Sequence, residues 1–216
     1  VKDAITYRPP EWLELESPPE GPLHVVELSR VVQRFLDADP KSIFIADGGE
    51  FGQWVQSCVS SPRRVINGPG GNIGTSIPFA MAASLAYPGT RVMTLLGDGT
   101  FGFHGMEIDT AVRHNIPFIA LVGNDAMWNA EYQIQLREYG LERALGCELL
   151  LSRYDEVARA LGGHGENVTK PIELAPALDR SLASGLPACV NVAVQRTPAP
   201  VVRRTTERQA GAVAGH

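Results

Sequence analysis

The sequence predicts an α/β domain, a doubly wound parallel sheet with helices on both faces. Three observations carry that prediction. Short, continuous apolar runs at 42–46, 91–96, 118–122 and 188–194 have the length and composition of strands buried on both faces. Helical stripes separate these runs, and strands alternating with helices imply βαβ crossovers and a parallel sheet. Three of the runs end in glycine and polar residues, at Asp47-Gly48-Gly49-Glu50, Gly97-Asp98-Gly99 and Gly123-Asn124-Asp125. In sheets of this kind ligands sit at the carboxyl ends of the strands.

The elements follow in order. Residues 1–22 are rich in proline and glutamate and are expected to form an extended linker arm rather than a packed element. Val25, Leu28, Val31, Val32 and Phe35 make a helical stripe that ends at Asp39-Pro40. The strand at 42–46 leads through Asp47 into a helix carrying Trp54 and Val55. A glycine-rich loop at 66–74 opens a small-residue helix over 77–85. The strand at 91–96 runs into Gly97-Asp98-Gly99, and a helix over 107–114 precedes the strand at 118–122. Residues 130–139 read as a polar helix or an ordered loop. Helices over 155–161 and 174–183 precede the last strand. The domain is therefore placed at 23–200, and 201–216, where periodicity is lost, is expected to be a mobile tail.

Composition narrows the function classes. The chain has 216 residues, enough for one domain with a sizeable core. Its formal net charge of −5 argues against a broad nucleic-acid or anionic-membrane surface, so neither partner is expected. No apolar run is long enough to span a bilayer. Cys58, Cys147 and Cys189 are far apart and odd in number, which predicts free thiols in a reducing, cytoplasmic setting rather than a disulfide framework or a zinc site.

Asp98 and Asn124 each follow a buried strand, and neighbouring strands would bring them together. One carboxylate plus one amide oxygen suits magnesium, which takes oxygen ligands and shares them with phosphates. Gly99 and Thr100 would offer backbone N–H groups to those phosphates. Taken alone, Gly97-Asp98-Gly99 is equally a strand-ending turn. Its spacing decides the matter, because 24 residues separate Gly99 from Asn124.

Gly-Asp-Gly, a gap of that size and Asn resembles the diphosphate-binding domain of thiamine-diphosphate-dependent enzymes, over about residues 23–200. The segment from Asp47 to Trp54 is similar to acetolactate-synthase-like enzymes. The segment from Gly97 to Glu107, with Arg113-His114-Asn115-Ile116-Pro117, resembles the 2-hydroxyacyl-CoA lyase and oxalyl-CoA decarboxylase group. The segment from Leu186 to Val194 is similar to the last strand of benzaldehyde lyase. The resemblance implies Asp98, Asn124 and the Ala126 carbonyl as magnesium ligands. It places Gly49, Glu50, Phe51, Gly97, Gly99, Thr100, Asn124 and Met127 around thiamine diphosphate. Ile73 becomes the apolar wedge under the bent cofactor, and the Gly71 carbonyl the holder of its amino group. Two departures stand out: Glu50-Phe51 where many relatives carry Gln-His, and Asp125 where a second Asn is common. Past the metal loop, Glu131 is the expected catalytic acid or base and Trp128 a wall of the substrate pocket.

The implied activity is carbon–carbon lyase or carboligase chemistry next to a carbonyl. The leading expectation is a 2-hydroxyacyl-CoA lyase-like enzyme, reversibly giving a carbonyl compound and formyl-CoA, with Arg203, Arg204 and Arg208 folding over CoA phosphates. The alternatives are an acetolactate synthase-like or benzaldehyde lyase-like carboligase on free 2-keto acids or aldehydes, and a non-catalytic cofactor-binding subunit. The resemblance also implies a separate segment or chain carrying a pyrimidine-binding domain with its activating glutamate, within a dimer or tetramer. A chain that begins with Val1 is then expected to be the C-terminal piece of such an assembly.

Overall fold

A computed structural model of the chain describes residues 8–66 and 72–200. Six strands form one all-parallel sheet: β1 (Ile43–Ala46), β2 (Arg63–Ile66), β3 (Val92–Gly97), β4 (Ile119–Asn124), β5 (His164–Val168) and β6 (Ala188–Ala193). Their order is β2-β1-β3-β4-β6-β5. The helices are α1 (Val25–Asp37), α2 (Gly49–Cys58), α3 (Ser76–Ala86), α4 (Asp98–His104), α5 (Glu107–Arg113), α6 (Asn129–Tyr139), α7 (Tyr154–Ala160) and α8 (Pro171–Ser184).

Alternation along the strands builds two cores, because successive strand side chains point to opposite faces. Phe44, Ala46, Met93, Leu95, Leu121 and Val190 pack beneath α1, α2 and α8. Ile43, Ile45, Leu96, Ala120, Val122 and Cys189 pack against Ile77 of α3, Phe101 of α4, Ile108 of α5 and Ala158 of α7. The expected doubly wound sheet is what the chain forms.

The chain moves from β1 outward to β2, then returns to place β3 on the other side of β1. The carboxyl ends of β1 and β3 therefore flank a topological switch point, where crossover loops diverge and leave a crevice. β4 lies beside β3 with Gly97 opposite Gly123, so the strand ends singled out in the sequence are neighbours.

Two strands lack a sequence signal. β2 reads Arg63-Arg64-Val65-Ile66 and β5 reads His164-Gly165-Glu166-Asn167-Val168. Both are edge strands, covered on fewer sides, so neither needs an apolar run. Polar residues on β5 are used at the edge, where Glu166 is paired with Arg180 and His164. The segment at 129–139 is a helix.

The described part of the arm is docked, contrary to the expectation of an unpacked linker. The Trp12 ring lies 5.2 Å from that of Trp54. The Arg30 guanidinium donates to the carbonyls of Trp12, Leu13 and Leu15. Leu23 N–H donates to the Ala193 carbonyl and Gln195 N–H to that of Leu23, which adds a bridge beside the end of β6. The arm's aromatic and aliphatic side chains cover α1 and α2, which its proline content does not disclose.

All three cysteines are free, and burial pushes the Cys58 thiol up to about 11. None of the helices among the described residues is long and apolar enough to cross a membrane.

Leu121, fully buried in central β4, tests the sheet core. Leu121→Ala is expected to cost about 2–5 kcal/mol in urea denaturation, through lost transfer energy plus a cavity.

Candidate cofactor and metal site

The site begins at Asp47, one residue past the end of β1 and fully buried. Its Oδ1 accepts N–H groups from Gly48 at 2.8 Å and Gly74 at 3.0 Å. Its Oδ2 accepts from Gly74 at 3.1 Å and Ser76 at 3.1 Å. One carboxylate thus ties the end of β1, the exit of the glycine-rich loop and the first turn of α3 together. A buried carboxylate is tolerated only when hydrogen-bonded in this way. Sequence reasoning placed Asp47 in a motif without assigning it a role. The signal was there, as an acid directly after an otherwise apolar buried strand.

From Asp47 the chain turns into α2, whose first residues, Gly49, Glu50 and Phe51, border a cleft of about 230 Å³. Ile73, Gly97, Asp98, Gly99, Thr100, Gly123, Asp125, Met127, Trp128 and Glu131 line the same cleft. Gly71 lies outside the described residues, as do Arg203, Arg204 and Arg208.

Aromatic rings press directly on two glycines. A Cβ on Gly99 would sit 2.7 Å from the Trp128 ring, and one on Gly123 would sit 2.3 Å from the Phe51 ring. Those contacts explain why glycine stands at both positions and fix Trp128 as one wall. His104 is held by a hydrogen bond, with Nδ1 at 2.7 Å from the Gly74 carbonyl.

The loop after β4 differs from the arrangement expected of metal ligands. Asp98 faces the cleft with 3% of its surface exposed, and its two oxygens accept N–H groups from Gly99 at 2.8 Å and Met127 at 3.2 Å. Asn124 does not line this cleft. Its amide donates to the Ser152 carbonyl at 2.9 Å and to Asn191 Oδ1 at 3.1 Å, and its Oδ1 accepts from Ala126 N–H. The reason is strand alternation: Asn124 follows Ala120 and Val122 onto the sheet face that carries α7.

The Ala126 carbonyl is likewise engaged, by Leu149 N–H at 2.9 Å and Arg196 Nη2 at 3.3 Å. Ala126 takes a left-handed φ of 55°, and on either side of it Asp125 and Met127 border the cleft. The acid and main chain at the cleft are thus Asp98, Asp125 and Met127. Of the three residues expected as metal ligands, only Asp98 is brought there.

Charge at the cleft is one-signed. Desolvation raises the Asp98 carboxyl above its ordinary range despite its N–H donors. Asp125 is raised to about 7, first by burial and then by the Asp98 charge, against the opposing Asn129 amide and Arg196. Burial also raises Glu50, with Glu131 adding to the effect, although the Ala199 N–H bonds its Oε2. Two adjoining carboxylates, one buried and one half-buried, with only Arg196 opposing them are costly, and a divalent cation inverts that balance. Among the described residues no group of three or more His, Cys, Asp or Glu side chains is placed to hold a metal. A cation here would complete its shell from main-chain and ligand oxygens, as magnesium does with phosphates. The residues present therefore fit a magnesium-bound diphosphate.

A parallel α/β fold with a diphosphate-type cleft at its switch point defines the broad class. Residues 47–192 match the family of the thiamine pyrophosphate enzyme, C-terminal TPP binding domain, and the chain belongs to that family. It is similar to a probable acetolactate synthase of Mycobacterium bovis and to the acetolactate synthase large subunit IlvG of Mycobacterium tuberculosis. Each is 43% identical over 79% of this chain and 31% of the relative. The human 2-hydroxyacyl-CoA lyase 2 is 34% identical over 81% of this chain and 28% of its own length. The chain thus spans about a third of the length of the relatives it matches.

Two predictions follow from the geometry. Asp47→Ala orphans three buried N–H groups and is expected to cost about 3 kcal/mol or more in urea denaturation, with Asp47→Asn losing less. For Asp125 the folded pKa lies above the unfolded one. Its ionisation therefore erodes stability from about pH 4 upward, and the full penalty is present above about pH 7. Without divalent metal, Asp125→Asn is expected to raise the melting temperature by a few degrees at pH 8 and to leave it near wild type at pH 4. An equal shift at both pH values would contradict the assignment.

Proposed function

We propose that the chain is the magnesium-diphosphate-binding portion of a thiamine-diphosphate-dependent carbon–carbon lyase or carboligase. The observation that supports this best is the Asp98–Asp125 pair, set in one cleft with the opening turn of α2. In this reading the two carboxylates and the Met127 main chain hold magnesium. The N–H groups of Gly49, Glu50 and Phe51, with that of Thr100, receive the diphosphate, as helix N-termini do, and Gly99 lines its seat. Bound thiamine diphosphate supplies a carbanion-stabilising centre for cleaving or forming a bond next to a carbonyl.

The protein's share is positioning and proton control. Ile73 supports the rings of the cofactor and Trp128 walls the substrate side. Glu131 moves the proton at the substrate, with the Glu50 carboxyl beside it holding a proton more tightly than an ordinary glutamate. The activating glutamate comes from a pyrimidine-binding domain elsewhere in the protein or on a partner chain. The chain's share of its relatives' length supports that division. Assembly as a dimer or tetramer, with the active site across an interface, is part of the same proposal.

For the substrate, the 97–107 motif supports a 2-hydroxyacyl-CoA, cleaved to a carbonyl compound and formyl-CoA. The 43% identity to acetolactate synthases supports a second reading, a carboligase on free 2-keto acids. Steady-state kinetics of the whole protein separates them: saturation by a 2-hydroxyacyl-CoA, with pyruvate inert, is expected, and the reverse pattern selects the synthase. In either case Asp98→Ala is expected to abolish magnesium-dependent thiamine diphosphate binding in calorimetry. Glu131→Gln is expected to lower kcat by roughly 100-fold with cofactor affinity unchanged. Turnover by the 216-residue chain alone would refute the need for a second domain.

A further inference from the structure

Residues 194–199 form a strap beside the cleft, and each is hydrogen-bonded to the cleft or to an element next to it. Val194 N–H donates to the Asn124 carbonyl at 3.0 Å, and Gln195 N–H donates to the Leu23 carbonyl at 2.9 Å. Arg196 Nε donates to the Asp125 carbonyl at 2.7 Å and its Nη2 to that of Ala126 at 3.3 Å. The Thr197 carbonyl accepts from the Asn129 amide at 3.4 Å, and the same amide holds Asp125 Oδ2 at 2.9 Å. The Pro198 carbonyl accepts from Trp54 Nε1 at 2.9 Å, and Ala199 N–H reaches Glu50. The strap therefore joins the two sides of the cleft, the loop after β4 and the first turns of α2.

The core does not explain Arg196, which is solvent-exposed. Its described hydrogen bonds all go to main-chain carbonyls of the loop after β4. That loop passes through the left-handed Ala126, a conformation unusual for a residue with a side chain, which persists only where its surroundings hold it. A guanidinium offers a rigid fork of donors that can hold two carbonyls at once, and an ammonium cannot reproduce that geometry.

We propose that Arg196 is a positioning residue for the cation end of the cofactor. It clamps the carbonyls of Asp125 and Ala126, so that the Asp125 carboxylate and the Met127 main chain stay aimed into the cleft. The inference rests on the metal site proposed above and extends it to a residue that does not touch the ion. Outer partners of this kind orient ligands, and their loss weakens metal affinity more than it weakens the fold.

The test is Mn2+ binding to the whole protein at saturating thiamine diphosphate, read from the electron paramagnetic resonance of free Mn2+. A urea titration of the metal-free protein runs beside it. Arg196→Ala is expected to weaken Mn2+ binding about tenfold. Arg196→Lys, which keeps one donor, is expected to weaken it roughly threefold. Both urea midpoints should stay near wild type. Unchanged Mn2+ affinity in Arg196→Ala overturns the proposal, as does a loss matched by an equal drop in the urea midpoint. Should the alanine variant fail to fold, the lysine variant decides by the same criteria. Wild-type protein that takes up no Mn2+ would overturn the metal site itself, and this inference with it.

Discussion

The buried carboxylate of Asp47 is the constraint on which the site depends. It sits where β1 ends and takes N–H groups from Gly48, Gly74 and Ser76. Each donor belongs to a different part of the cleft: the turn into α2, the exit of the glycine-rich loop and the start of α3. Gly52 of α2 packs so close that a Cβ there would lie 2.1 Å from the Asp47 carbonyl. The position of Ile73 beside the cleft and the approach of α2 thus follow from one side chain. A hydrophobic residue at 47 would satisfy the core but leave the crossover loops without a common anchor.

Around that anchor the fold gathers negative charge where it is expensive. Asp98 is buried and Asp125 half-buried, the two repel one another, and both hold protons more tightly than ordinary aspartates. A fold selected for stability alone would not keep such a pair. Its presence at the switch point, next to the opening turn of α2, makes sense if a divalent cation and an anionic group share the space. The segment that matches the family begins at Asp47 and ends on β6.

Much of this was legible in the sequence. β1, β3, β4 and β6 are buried on both faces, so they had to be apolar, and they read as strands. β2 and β5 lie at the edges, where Arg63, Arg64, His164 and Glu166 are tolerated, so nothing in their composition announced them. The glycine and acid clusters marked the strand ends that border the cleft. The one-residue offset in the loop after β4 was the finer matter. Motif spacing drew attention to Asn124, whereas the period of two running through Ala120 and Val122 sends its side chain to the far face, toward Ser152 and Asn191. Asp125 looked like a departure from the pattern, and it is the acid that reaches the cleft. The docked arm and the strap of 194–199 depend on long-range hydrogen bonds that leave no local sequence signal.

The most direct test of this account is where a metal ion sits. In crystals of the whole protein grown with thiamine diphosphate and Mn2+, anomalous scattering locates the ion without reference to activity. The account predicts a single manganese peak within bonding distance of both the Asp98 and Asp125 carboxylates, with Asn124 still bonded to Ser152 and Asn191. A peak coordinated by the Asn124 amide oxygen instead of Asp125, or none at this cleft, would contradict it.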